Sequence, residues 1–93
     1  MAIRTKKGFV LRKIGVQYMA VPFGAMTSKV KGMITLTESG YFLWKTLETG
    51  VENVDALVEA MTAEYDVDRE TAAKDVCAFL VYLAELGVID DGV

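Results

Sequence analysis

The first half of the chain alternates between apolar and polar residues with the period of β-strands. Residues 9–14 and 16–21 are rich in β-branched and aromatic residues and meet at Gly15, which predicts a β-hairpin. Residues 30–36 alternate again, with every second side chain on one face, and predict a third strand. These three segments together indicate a small antiparallel sheet.

From Thr37 onward the apolar positions recur with the period of an α-helix. Thr37 is a suitable N-cap for a first helix, and Gly50 stands where a C-cap glycine belongs. Asn53 and Asp68 are suitable N-caps for a second and a third helix, and Gly87 ends the third. The pattern therefore predicts an α+β fold in the order β-β-β-α-α-α.

The third predicted helix is apolar around more of its circumference than burial against one neighbour requires. A second row of residues lies beside Phe79 on the helix surface and consists of Asp75, Ala78 and Tyr82, spaced at i, i+3 and i+7. On one interpretation Phe79 belongs to the core and Tyr82 is an isolated surface aromatic, and on the other both line a binding surface. The helix pattern alone leaves both open. The expected inner stripe consists of Ala72, Val76, Leu80, Leu83 and Leu86.

The composition excludes several kinds of catalytic and metal site. The chain has 93 residues, which fits one domain over residues 1–93, and it contains no histidine and one cysteine. A histidine-based triad, a histidine metal site and a cysteine zinc cluster are therefore excluded. Cys77 is expected to be a buried structural thiol, and no glycine-rich phosphate motif occurs. We expect no catalytic residues, no metal and no cofactor, so the protein is not predicted to be an enzyme.

Charge is divided unevenly along the chain. Residues 1–36 carry seven basic residues and no acidic one, whereas residues 47–93 carry twelve acidic and two basic residues. Three helices beside a small sheet can form a winged helix-turn-helix that binds nucleic acid. The predicted second and third helices are mainly acidic and would repel phosphate, which disfavours this alternative.

No membrane segment is predicted. The longest apolar run, residues 76–84, has nine residues, whereas a membrane-spanning helix needs about 20. The first fifteen residues contain five charges and leave no room for the apolar stretch of a signal peptide. A cytoplasmic location is the expectation.

A peptide groove is the remaining candidate site. The unpaired edge of a small sheet can accept an extended peptide as an added strand. Four or five backbone hydrogen bonds, at about 0.5–1.5 kcal/mol each, fall short of the roughly 8 kcal/mol of micromolar binding. Apolar pockets must supply the rest, and the third helix offers Ala78, Phe79 and Tyr82. A further alternative is that the same edge serves only to form a homodimer.

Several short motifs resemble, in their order and spacing, those of the PqqD family, the pyrroloquinoline quinone biosynthesis protein D group. The resemblance covers about residues 8–90 and departs from the family at Thr37, where asparagine is usual. The motifs are Leu36-Thr37-Glu38-Ser39-Gly40, Leu43-Trp44, Leu47 to Gly50, Glu64-Tyr65-Asp66-Val67, Ala73-Lys74-Asp75-Val76 and Phe79-Leu80 with Leu83 to Ile89.

This resemblance implies a winged helix-turn-helix-like fold and a non-catalytic peptide-binding adaptor. Relatives of the family bind the leader of a ribosomally made precursor peptide as an extra strand, between strand three and helix three. They present that leader to a modifying enzyme, commonly a radical SAM protein, in the biosynthesis of a quinone cofactor or another modified peptide. By position, the resemblance implies peptide-binding residues Lys31, Gly32, Met33, Ile34, Thr35, Leu36, Asp75, Ala78, Phe79 and Tyr82.

Overall fold

A small antiparallel sheet and three helices enclose one hydrophobic core in the computed structural model, which describes residues 3–29 and 32–90. The α+β class and the order of three main strands followed by three helices confirm the prediction. A 3-10 helix, Gly24–Ser28, follows the second main strand. The elements are β1 (Arg4–Thr5), β2 (Phe9–Ile14), β3 (Gln17–Pro22), β4 (Ile34–Leu36), α1 (Glu38–Glu48), α2 (Val54–Glu64), α3 (Arg69–Leu86) and β5 (Ile89–Asp90).

The main sheet has the strand order β2-β3-β4, with antiparallel neighbours. Ile14 pairs with Gln17, so a two-residue turn joins β2 to β3. Gly15 opens that turn with a φ of 63°, a backbone conformation that favours glycine. β3 is therefore the central strand, and β2 and β4 are the two edges.

The third main strand is shorter than predicted. β4 begins at Ile34, so the prediction that Gly32 and Met33 belong to the strand is wrong. Gly32 has a φ of 72°, which is incompatible with extended backbone, and the side chain of Met33 is 57% exposed. The remaining predicted strand residues, Val30 and Lys31, lie outside the described residues.

Each helix begins at its predicted N-cap and accepts a hydrogen bond there from a backbone N–H of its first turn. α3 ends at Leu86, and Gly87, with a φ of 74°, forms the left-handed C-cap that the sequence predicted. The N-cap bonds run from Gly40 N to Thr37 Oγ1 (3.0 Å), from Ala56 N to Asn53 Oδ1 (2.8 Å) and from Thr71 N to Asp68 Oδ1 (2.8 Å).

A second, two-stranded sheet joins the two ends of the described chain. β1 pairs antiparallel with β5, with Thr5 opposite Ile89, and Ile3 forms a single bridge to Val51. Strands of two residues carry too little alternation to be recognised in a sequence.

The core lies between the helices and one face of the main sheet. The Phe9 ring meets the Trp44 ring edge-on, with centroids 5.3 Å apart. α3 packs chiefly against α2. The fully buried side chains of the core, by volume, are Trp44, Leu43, Leu47, Leu57, Leu83, Val58, Val76 and Val88.

α3 is buried along a narrower stripe than predicted. Ala72, Val76 and Leu83 are buried, but Leu86, the last residue of the helix, is 37% exposed. Cys77 is exposed, so the prediction of a buried thiol is wrong. No helix within the described part of the chain is long and apolar enough to cross a membrane.

Candidate binding groove

A groove of about 390 Å³ lies where β4, the start of α1 and the middle of α3 meet. Its floor is apolar and its rim carries hydroxyl groups and one carboxylate. The lining residues are Thr35, Leu36, Thr37, Ser39, Gly40, Leu43, Asp75, Ala78, Phe79 and Tyr82.

β4 forms one wall of the groove at the edge of the main sheet. Among the described residues β4 pairs only with β3, through Ile34, Thr35 and Leu36, and its other edge has no partner strand. Ile34 and Leu36 point into the core, whereas Thr35 is exposed. Unpaired backbone donors and acceptors at such an edge are available to an added strand.

α3 forms the opposite wall, and the burial of its inner stripe fixes its rotation. Asp75 lies three residues after the buried Ala72, and Phe79 lies three residues after the buried Val76. Residues three apart lie about 60° apart around the axis of an α-helix, so both side chains stand at the side of the buried stripe, where they line the groove. Asp75, Ala78 and Tyr82 are exposed at the rim, and Phe79 is half-buried below them.

The start of α1 forms a third wall that the sequence analysis did not predict. Leu43 and the glycine at position 40 are buried there, and Thr37 and Ser39 place hydroxyl groups at the rim. Thr37 Oγ1 accepts the hydrogen bond of the N-cap and lies 3.3 Å from Ser39 Oγ. A glycine within the first turn of a helix was the available signal, because glycine has a low helix propensity.

Six of the ten predicted site residues line the groove: Thr35, Leu36, Asp75, Ala78, Phe79 and Tyr82. Ile34 lies in the core instead, 4% exposed. Gly32 and Met33 precede β4 and do not line the groove. Lys31 lies outside the described residues.

The chemistry of the groove suits binding. Asp75 is the one charged side chain among the described residues that line it, and the hydroxyl groups at the rim can both donate and accept hydrogen bonds. Leu36, Leu43 and Phe79 give it an apolar floor. Across residues 3–29 and 32–90, no group of three or more cysteine, aspartate or glutamate side chains is placed to hold a metal ion. The fold and the groove together give a small α+β domain with one candidate binding groove among the described residues.

Comparison with known proteins identifies the family. Residues 25–89 match the family described as Coenzyme PQQ synthesis protein D (PqqD). This match covers more than half of the chain, and the protein belongs to the PqqD family. The resemblance noted in the sequence is thereby confirmed.

The fold is shared with a protein of known structure, described as "TbiB1 in Complex with the TbiA(beta) Leader Peptide". The TM-score is 0.72 at 24% sequence identity, and the similarity covers 97% of this chain and 98% of that chain. At this identity the comparison establishes the common fold. No curated protein matches the chain significantly.

Proposed function

We propose that this protein is a non-catalytic adaptor that binds the leader of a ribosomally made precursor peptide and presents it to a modifying enzyme. The leader binds in the groove as an extended strand beside β4, with apolar side chains on the floor between α1 and α3. The observation that carries this proposal is an apolar groove directly beside an unpaired strand edge. Membership of the PqqD family and the fold shared with a leader-peptide-binding protein support it.

The position of the groove selects one of the two sheet edges. β2 and β4 are both edges of the main sheet, but the groove lining contains residues of β4 and none of β2. A peptide on β2 would gain backbone hydrogen bonds without this apolar floor. A peptide on β4 gains both, so β4 is the proposed docking edge.

The length of β4 makes the apolar floor necessary. β4 has three residues and is about 10 Å long, which limits an added strand to a few backbone hydrogen bonds. Burying one leucine-sized or phenylalanine-sized side chain contributes about 1.5–3 kcal/mol. Micromolar affinity needs roughly 8 kcal/mol. Two such side chains and a few hydrogen bonds reach that value only when their free energies add and the entropy cost of ordering the peptide is small. We therefore expect a leader with apolar anchors in a segment that is already inclined to be extended.

The modifying enzyme is the second partner in this proposal. In this proposal the chemistry belongs to the partner, because the family resemblance implies a non-catalytic adaptor. A radical SAM protein is the class we propose, because the resemblance described above implies it. Finding a short precursor gene and such an enzyme gene beside the gene of this chain would support that assignment.

A pair of substitutions on α3 tests the groove. Tyr82, 42% exposed, lies at the rim, and Val81, 58% exposed, lies next to it on the same helix but outside the groove. With the leader of the neighbouring precursor as ligand, we expect Tyr82→Ala to weaken binding about 5-fold or more, as removal of an interface tyrosine commonly does. Val81→Ala, the matched control, should leave the affinity unchanged.

Isothermal titration calorimetry provides the measurement. Both side chains lie at the surface and neither belongs to the buried core, so both variants should fold and unfold cooperatively as the wild type does. The groove assignment is wrong if the wild type binds the leader and the two substitutions have equal effects. The proposed function is wrong if the wild type does not bind the leader at all.

A further inference from the structure

Gly40 lies in the first turn of α1 at a position where the backbone does not require glycine. Its φ is not positive, unlike that of the other described glycines, and its conformation is that of an ordinary helix. Glycine in a helix is less favourable than alanine by about 0.5–1 kcal/mol. Local backbone geometry therefore gives no reason for glycine at position 40.

The space around Gly40 gives the reason. A Cβ atom at this position would lie 3.2 Å from Cε1 and 3.7 Å from Cδ1 of Phe79, and 3.1 Å from Oγ1 of Thr37. Carbon atoms in favourable contact are about 3.5–4.0 Å apart, so the Phe79 ring already occupies part of the space that a Cβ atom at position 40 would need. Any side chain at position 40 would have to push that ring away.

Gly40 and Phe79 belong to two different walls of the groove. Gly40 is buried on α1, Phe79 is half-buried on α3, and both line the groove. Because position 40 carries no side chain, the ring can withdraw as far as the α1 backbone and leave the space in front of it open. The contact between them thus sets how much room remains for a ligand side chain.

On the basis of the proposed function, we infer that Gly40 sets the size limit of one subsite for a leader side chain. This subsite lies between α1 and Phe79 and takes a bulky apolar side chain of the bound peptide. A methyl group at position 40 fills part of the subsite and displaces the ring by a few tenths of an ångström. Gly40 is a specificity-determining residue, since its effect depends on the size of the ligand side chain that enters.

Selection of peptides provides ligands for the test without knowledge of the natural leader. A displayed library of random 12-residue peptides is selected on the wild-type protein, and we expect the enriched peptides to share one bulky apolar residue. An enriched peptide is then synthesised in two forms, the original and one in which valine replaces that residue. Both forms are titrated against the wild type, Gly40→Ala and Ala63→Ser.

Gly40→Ala should reduce the affinity for the bulky peptide about 10-fold to 100-fold and the affinity for the valine peptide less than about 3-fold. A tightly packed pocket can distinguish side chains that differ in size by about one methylene group. Ala63→Ser also adds one heavy atom, at an exposed position of α2 outside the groove, and should change neither affinity. Phe79→Leu in the Gly40→Ala background should restore binding of the bulky peptide by reopening the subsite. Alanine favours a helix, so thermal unfolding should show Gly40→Ala folded.

The outcomes separate this role of Gly40 from the proposed function. If Gly40→Ala reduces the affinity for both peptides equally, or for neither, the proposed role of Gly40 is wrong. The proposal that the groove binds a peptide is not affected by that result. A Gly40→Ala protein that fails to fold, with no rescue by Phe79→Leu, shows that Gly40 serves packing alone and also overturns the proposed role of Gly40. If no peptide is enriched on the wild type, the proposed function and the role of Gly40 both fail.

Discussion

Phe79 shows how one residue can serve both the core and a surface. The helix pattern left open whether its ring is buried or lines a site, and in the structure the ring does both. It packs against the buried core cluster on one side and lines the groove on the other. A helix pattern could not distinguish these roles, because the decisive contact is with Gly40 on another helix.

Asp68, the N-cap of α3, links the stability of the protein to pH. Hydrogen bonds from the hydroxyl group and the backbone N–H of Thr71 hold the pKa of Asp68 below its ordinary value of 3.8. A carboxylate with a lowered pKa stabilises the fold above its unfolded pKa, and this stabilisation is lost as the pH falls through the folded pKa. We expect this loss below about pH 4.

Asp68→Asn isolates that contribution, because asparagine is also a good N-cap but does not titrate. The free energy of unfolding of the wild type and the variant is measured by urea denaturation between pH 2 and pH 7. We expect a constant difference above about pH 5 and a relative loss of wild-type stability below about pH 4. Parallel curves over the whole range would show that the cap carries no pH dependence.

At the scale of elements, the main strands and helices were predictable because their signals are local. Thr37, Asn53 and Asp68 mark the helix starts, and Gly15 marks the hairpin turn. The length of the third strand was not predictable in the same way, since residues 30–36 alternate while Gly32 adopts a left-handed conformation.

The part of the candidate site that lies on α3 was predictable, because its signal is also local. Asp75, Ala78, Phe79 and Tyr82 share one face of a helix, which spacing alone reveals. The wall formed by α1 was missed because it depends on how α1 crosses the end of β4 and approaches α3. Packing between elements that are distant in the sequence has no local pattern, and the only sign of it here is the glycine at position 40.

Strand addition at β4 predicts a periodic response to changes in the peptide backbone. In an added strand, alternate residues direct their backbone N–H groups towards β4 and towards solvent. N-methylation of the leader, one residue at a time, should therefore weaken binding at every second position across about four residues. Each lost hydrogen bond should reduce affinity by about 2-fold to 10-fold, and the intervening positions should change little.

Affinities of the N-methylated peptides are measured by fluorescence anisotropy against the wild-type protein. Losses that follow the side-chain anchors without a period of two would show that the leader binds in some other conformation. A leader that binds as a helix would instead lose affinity at consecutive positions.

At the scale of the whole molecule, the charge division follows the architecture. Exposed basic residues lie on and near the strands, at Arg12, Lys13 and Lys29, whereas α2 and α3 carry mainly acidic exposed residues. The few cations of the helices are partly neutralised, since Arg69 lies 3.7 Å from Asp55 in an exposed ion pair. A helix with this charge would be repelled by the phosphates that line a major groove.

Duplex DNA is therefore predicted to be a poor ligand. We expect a dissociation constant above about 100 µM for random duplex DNA at physiological salt. Such an affinity is lower than that of typical non-specific DNA-binding proteins. Electrophoretic mobility shift at low and physiological salt checks this. A tight complex that weakens steeply with salt would favour a winged-helix nucleic-acid-binding protein instead.

Nuclear magnetic resonance of the isotope-labelled protein with the leader of the neighbouring precursor tests the central claim most directly. We expect nuclear Overhauser contacts between the peptide backbone and β4, and amide shifts concentrated in residues 34–36 and at Asp75, Phe79 and Tyr82. Contacts to the β2 edge, or shifts confined to residues outside the groove, would contradict that claim.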